Sequence, residues 1–226
     1  DLPMDFARPS IRSSKGAVVE GEVSELLQQK LKKLSYKFGV SLHMIFLSVL
    51  MILLGKYSKQ SDIVIGIPVN GRKNSELENM MGMFANTLPI LSQPKSDKVF
   101  SDYLGEIKEI LLKSYENQDC SFEEIVDCLE IKREMNRNPL FDVMLSVEES
   151  TNGQKTFEGT TIKNGGTVTL TSKFDLMVTV LNEDDKIKLG MEYSTDLWKE
   201  ESVKRMLVHF ISILEEVTSY PNKKIS

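Results

Sequence analysis

Ile63-Val64-Ile65-Gly66-Ile67-Pro68-Val69-Asn70-Gly71-Arg72 is the stretch on which the fold turns. Its first seven residues are a continuous apolar run rich in β-branched side chains, the pattern of a strand buried on both faces. Pro68 marks the end of that strand, and Asn70-Gly71 supplies the positive φ of a turn. Upstream, Met44 to Leu54 is apolar nearly all round, which predicts a central helix. A buried helix beside a buried strand predicts an α/β domain, a mixed β-sheet covered by helices on at least one face.

Working outward, residues 1–16 carry Pro3, Pro9, Ser10, Ser13, Ser14 and Gly16 and read as an extended linker. Ser24 caps a helix with Leu27, Leu31, Leu34 and Phe38 on one stripe, stopped by Gly39, and Ser41 caps the apolar helix. Residues 70–79 form a polar loop in which Ser75 and Glu78 make a capping-box pattern, and 86–91 reads as a strand. Phe100, Leu104, Ile107, Leu111 and Tyr115 mark an amphipathic helix, and Ser121 with Glu124 opens another through Val126 and Leu129. Phe141, Val143, Leu145 and Val147 alternate with polar or flexible neighbours, the mark of a half-buried strand. Residues 150–172 are rich in Thr and Gly, with Asn164-Gly165-Gly166 as a hairpin turn. Residues 175–182 and 186–193 flank a turn at Glu183-Asp184-Asp185, and Val203, Met206, Leu207, Phe210, Leu214 and Val217 define a last helix.

With 226 residues and 41% hydrophobic content, the chain can bury a core as one large domain or two small ones. A net charge of −5 argues against a nucleic-acid partner. Lys30, Lys32, Lys33 and Lys37 alternate with apolar residues at helical spacing and read as a solvated face. Cys120 and Cys128 are the only cysteines, without a CxxC or Cys/His cluster, so no metal site and a reducing cytoplasm are expected. No signal peptide is expected, and the apolar run at 44–54 falls short of the roughly 20 residues that span a bilayer. Nucleophile elbow, Walker A, GxGxxG and HExxH patterns are all missing. The two histidines, His43 and His209, sit in helical apolar patterns and read as packed or surface residues. Periodicity and composition lead to an α/β domain and stop there.

Three ordered signatures carry more: residues 65–72, Asn117-Gln118-Asp119-Cys120-Ser121-Phe122-Glu123, and Arg133-Glu134-Met135-Asn136-Arg137-Asn138-Pro139-Leu140. In order and spacing they resemble the last three core motifs of the condensation domains of nonribosomal peptide synthetases. Further matches are Leu2-Pro3-Met4-Asp5 with Arg8-Pro9, Phe84-Ala85-Asn86-Thr87-Leu88-Pro89, and Lys173-Phe174-Asp175-Leu176. The chain departs from the pattern where Ile67 stands for Thr, Cys120 and Ser121 for Tyr-Pro, and Glu134 and Asn136 for Asp and Ser.

The resemblance implies a chloramphenicol acetyltransferase-like fold of two lobes meeting at a V-shaped cleft with a tunnel between them. Carrier domains deliver substrates to the tunnel on phosphopantetheine arms, and an amine attacks a thioester to form an amide. By resemblance, residues 1–16 are the inter-lobe linker, 17–226 the C-terminal lobe, and 156–171 a crossover segment laid onto the N-terminal lobe. The family's HHxxxDG motif belongs to that other lobe, so no catalytic residue is expected in this chain, and the chain alone should be inactive. Arg72 is expected to pair with the Asp of HHxxxDG across the lobes. Asn138, and on the same grounds Asn86, are expected to line the tunnel and orient the acceptor or the thioester. Expected partners are the N-terminal lobe, carrier domains and the adenylation domain of the same synthetase; no cofactor or metal is expected to bind directly. The alternatives are a non-catalytic condensation-like module recruiting carrier or accessory proteins, or part of a cyclisation or epimerisation domain.

Overall fold

The computed structural model describes residues 1–72, 75–131, 134–150, 156–157, 160–161, 171–183 and 186–226. The elements are β1 (Gly16–Glu22), α1 (Glu25–Phe38), α2 (Leu42–Ser58), β2 (Ile63–Val69), α3 (Ser75–Glu78), β3 (Asn86–Ser92), α4 (Phe100–Glu116) and α5 (Phe122–Cys128). They continue with β4 (Val143–Ser150), β5 (Thr156–Phe157), β6 (Thr160–Thr161), β7 (Leu176–Glu183), β8 (Lys186–Ser194) and α6 (Glu200–Ser219). Six strands form one mixed sheet in the order β1-β8-β7-β4-β2-β3. The outer pairs are antiparallel, whereas β4 runs parallel to both β7 and β2.

Strand periodicity sorts the sheet into two faces. One face carries Val19, Ile187, Leu189, Met191, Leu176, Val178, Val180, Val143, Leu145, Ile63, Ile65, Ile67, Leu88 and Ile90, and all of these join one core with the helices. Helix α2 is the centre of that layer, buried continuously from Met44 to Leu54 and packed against α1, α4, α6 and β2. Phe46 meets Phe210 of α6 there at a ring-centroid distance of 6.2 Å. No single described helix is long and apolar enough to cross a membrane. The other face carries Met144, Met177, Thr179, Pro89 and Gly66, in register across the strands. Phe141 and Met144 are buried on this side but stand outside the helix-side core.

Local chemistry starts and stops the helices where the sequence says. Ser24 accepts from the Leu27 N–H at 3.3 Å, Ser41 from Met44 at 3.2 Å, and Gly39 closes α1 at φ 60°. Ser121 and Glu124 form the reciprocal capping box of α5, at 3.2 and 2.8 Å.

The structure departs from the sequence reading in two places. The alternation at 141–148 predicts a half-buried strand, yet β4 is buried continuously from 143 to 146, because it lies centrally with its second face covered as well. The linker reading of 1–16 leaves the following residues unassigned, and there the chain forms β1, the edge strand paired to β8 from Gly16↔Ser194 to Glu22↔Lys188. β5 and β6 pair with one another and not with the main sheet. The turn at 164–166, Asp184, Asp185 and most of the 156–171 crossover segment lie outside the described residues.

Candidate functional site

The signatures, far apart in sequence, converge on one aromatic side chain. Phe141, directly after the third signature, is 5% exposed and lies across β2 at Gly66. A Cβ at Gly66 would come within 2.3 Å of Cε2 and Cζ of that ring, so only glycine lets the ring lie on the strand. Phe122 of the second signature meets Phe141 edge-on at 5.5 Å, and Phe174 stacks on it at 5.8 Å. The Phe122–Phe141–Phe174 cluster therefore ties all three signatures and the 173–176 stretch to the sheet face opposite the four long helices.

The first residues of the chain fasten the same region from below. Arg8 forks onto Asp175, with Nη1 donating to Oδ1 at 3.2 Å and Nη2 pairing with Oδ2, and Nη1 also donates to the Asn136 carbonyl at 3.0 Å. Asp175 is 2% exposed, so this is a buried, bidentate, charge-assisted contact. Asp175 N–H donates to the Asp142 carbonyl at 3.0 Å, joining the entries of β4 and β7. Burial pushes the Asp142 carboxyl up, helped by Asp175 and opposed by Arg8, Arg137 and the Asn138 N–H. Nearby, Asp5 caps α6 in place of the capping side chain that Lys199 lacks: Oδ2 accepts from Lys199 N–H at 2.8 Å and Oδ1 from Ser202 Oγ at 3.0 Å. These two hydrogen bonds hold the Asp5 carboxyl below its ordinary value.

The three residues singled out from the sequence occupy different settings. Asn86, at the start of β3, spends its carboxamide on backbone: Nδ2 donates to the Gln118 and Cys120 carbonyls at 2.9 and 2.8 Å, and Oδ1 accepts from Thr87 and Phe122 N–H at 2.8 and 3.3 Å. It pins the second signature to β3. Arg72 follows β2 and holds the loop that leads to β3. Nε donates to the Leu77 carbonyl at 3.1 Å, Nη2 to those of Met80 and Gly82 at 3.1 and 3.3 Å, and the guanidinium lies 4.5 Å from the Phe84 ring centroid. Asn138 is half-buried, and its Nδ2 makes one long hydrogen bond, 3.4 Å, to the Lys173 carbonyl. Asn86 borders the aromatic cluster by accepting from the Phe122 N–H, Asn138 lies in the turn that leads into Phe141, and Arg72 sits at the far end of β2.

Among the described residues, neither histidine forms an acid–base relay. His43 Nδ1 meets Tyr115 Oη at 3.2 Å, and burial brings its pKa down to about 4, so it is neutral at physiological pH. His209 Nδ1 meets Tyr57 Oη at 2.8 Å on the exposed side of α6. Sequence reading missed the roles of Arg8, Asp175, Asp5 and Phe141. Three of these four lie inside stretches that the resemblance already matched, and that was the available signal.

A six-stranded mixed sheet with helices banked on one face matches the fold of solved condensation-domain structures. Residues 1–226 match the family model for the condensation domain, and the chain belongs to that family. It is 38% identical over 225 residues to bacitracin synthase 3 of Bacillus licheniformis, covering 100% of this chain and 4% of that protein. Gramicidin S synthase 2 of Brevibacillus brevis is 37% identical over 230 residues, again across 100% of this chain but 5% of the relative. Among solved structures, the four-domain nonribosomal peptide synthetase holo-AB3403, bound to AMP and glycine, superposes with a TM-score of 0.90 at 25% identity, over 99% of this chain and 18% of that one. The X-domain from teicoplanin biosynthesis superposes with a TM-score of 0.88 at 22% identity, over 100% of this chain and 52% of that one. The chain thus spans a small part of its synthetase relatives and about half of a single-domain structure.

Proposed function

We propose that this chain is the C-terminal lobe of a condensation domain that forms amide bonds between carrier-bound thioesters in nonribosomal peptide synthesis in the cytoplasm. The observation that carries the reading is the family match along all 226 residues, alongside relatives that are peptide synthetases. In the reaction the acceptor amine attacks the donor thioester carbonyl, the C–N bond forms and the C–S bond breaks. The amine gives up a proton, and the donor's phosphopantetheine thiol leaves. Holding two tethered reactants together can supply roughly 7–11 kcal/mol in favourable cases, so a wall that orients them contributes without a general base of its own.

In this reading the sheet face bearing Phe141 looks toward the N-terminal lobe, residues 1–16 link the lobes and 156–171 cross over. Asn138 is the tunnel residue, because its carboxamide is the less committed of the two candidates. Asn86 serves the tunnel indirectly, by fixing the second signature. Arg72 braces the contact with the N-terminal lobe from the loop it organises. A second reading, a module that recruits another protein, draws on the X-domain, a chain of the same fold that has been solved in complex with OxyB.

The deciding experiment incubates carrier-bound donor and acceptor with the intact synthetase and follows amide product. Amide formed in wild type and lost in Asn138→Ala, with an unchanged melting curve, supports the enzyme reading. Tight carrier or accessory-protein binding without any amide supports the recruiting module and overturns the first reading.

A further inference from the structure

We propose that Arg8 is a positioning residue for the amide-forming step, acting through the Asn136–Leu140 turn and touching neither reactant. The inference rests on the reading above and assigns a role that the motif resemblance leaves empty.

The turn is held against its own preference. Phe141 N–H donates to the Pro139 carbonyl at 2.9 Å, closing three residues around Leu140, whose φ is 69°. That left-handed region is unfavourable for a branched L-residue, and such conformations persist only where the surroundings fix them. Three contacts fix this one. Arg8 Nη1 anchors the Asn136 carbonyl on one side, and the Phe141 ring is clamped over Gly66 on the other. Asn138 Nδ2 reaches the Lys173 carbonyl at 3.4 Å.

Arg8 ties the Asn136 side of this frame to Asp175 at the entry of β7. Its planar fork engages both Asp175 oxygens and still reaches Asn136, a geometry that a lysine ammonium cannot reproduce. Asp175 in turn precedes β7, which pairs in parallel with β4 from Val143↔Leu176, so the strand entries and the turn are set by one guanidinium. Residues 8 and 175 are separated by 167 positions, and a simple surface ion pair would not be buried at 13% and 3% side-chain exposure. The clamp therefore fixes where Asn138 points.

The test uses the intact synthetase with Arg8→Lys, which keeps the charge, and with Arg8→Gln/Asp175→Asn, which leaves no buried unpaired charge if the first variant folds poorly. Amide formation under saturating carrier-bound acceptor is expected to fall at least about ten-fold while KM for the acceptor carrier stays within about two-fold. In the same proteins, hydrogen exchange at the Phe141 amide is expected to quicken by about ten-fold or more, with the amides in the middle of β7, Val178 to Val180, unchanged. A wild-type rate in folded Arg8→Lys overturns the proposal, as does unchanged exchange at Phe141. If the wild-type synthetase makes no amide, the enzyme reading falls, and the exchange measurement still decides whether Arg8 holds the turn.

Discussion

Replacing Gly66 by alanine adds one methyl group, and the structure says that it has nowhere to go. The new Cβ would lie 2.3 Å from two ring carbons of Phe141 and 2.9 Å from a third, where ordinary contacts begin near 3.4 Å. The strand cannot retreat, because β2 is hydrogen-bonded to β3 on one side and β4 on the other. The ring cannot retreat without opening its contacts to Phe122 and Phe174, at 5.5 and 5.8 Å. Overpacking costs about 1–3 kcal/mol, and loosening an aromatic pair adds about 0.5–1.5 kcal/mol. The expected loss is thus about 2–4 kcal/mol. The sign is diagnostic, since alanine in place of glycine inside an unobstructed strand would stabilise by roughly 0.5–1 kcal/mol. Equilibrium urea unfolding of the intact domain measures this, read as a change in midpoint at constant slope. In a Phe141→Leu background the same substitution should be far milder, giving a coupling energy of about 1–3 kcal/mol. A neutral or stabilising Gly66→Ala with Phe141 present would refute the claim that this glycine exists for the ring.

Three further outcomes follow from the same geometry. Asn86→Ala should cost about 1–3 kcal/mol by stranding backbone groups of the second signature, and Asn86→Asp should cost more, because a carboxylate would face the Gln118 and Cys120 carbonyls; thermal unfolding ranks the pair. Asp5→Ala should remove about 1 kcal/mol of α6 capping at neutral pH. Because the folded Asp5 carboxyl titrates below its unfolded value of about 3.9, that contribution is complete above pH 4 or so and fades as pH falls through the folded value, so wild type and Asp5→Ala should converge in acid denaturation. Residues 1–226 alone should form amide from carrier-bound substrates no faster than buffer, since the ring contacts of His43 and His209 among the described residues are to tyrosine hydroxyls, and product analysis by mass spectrometry checks it.

Much of the helical layer was legible because its causes are local. Ser24, Ser41 and the Ser121–Glu124 box sit within a turn of the groups they cap, and the stripes of α1, α4 and α6 repeat every three or four residues. The start of α6 was less so, because its cap is Asp5, which lies 194 residues from the N–H it accepts. β1 was missed since Gly16, Glu20, Gly21 and Glu22 dilute the strand signal, and an edge strand has only one neighbour to satisfy. The alternation along β4 correctly gave a strand but understated its burial, because Met144 and Ser146, on the face away from the helices, are buried as well, which no single-strand pattern encodes. At the site, the motifs were visible as words, whereas their grammar was not: Gly66 with Phe141, Asn86 with Phe122, and Arg8 with Asp175 are tertiary pairs.

The most direct measurement of the central claim, that the Phe141 face forms the tunnel wall, is proximity labelling in the intact synthetase. Cys120 and Cys128, both exposed, are first replaced by serine, and one cysteine is then introduced, either Asn138→Cys or, on the outer side of α6, Ser212→Cys. A carrier domain whose phosphopantetheine arm bears a haloacyl group is added, and alkylation is followed by mass spectrometry. Delivery along the tunnel predicts labelling at position 138 at least about ten-fold faster than at 212, because the tethered electrophile is presented there at high effective concentration. Equal rates at the two positions, or faster labelling at 212, would contradict the account.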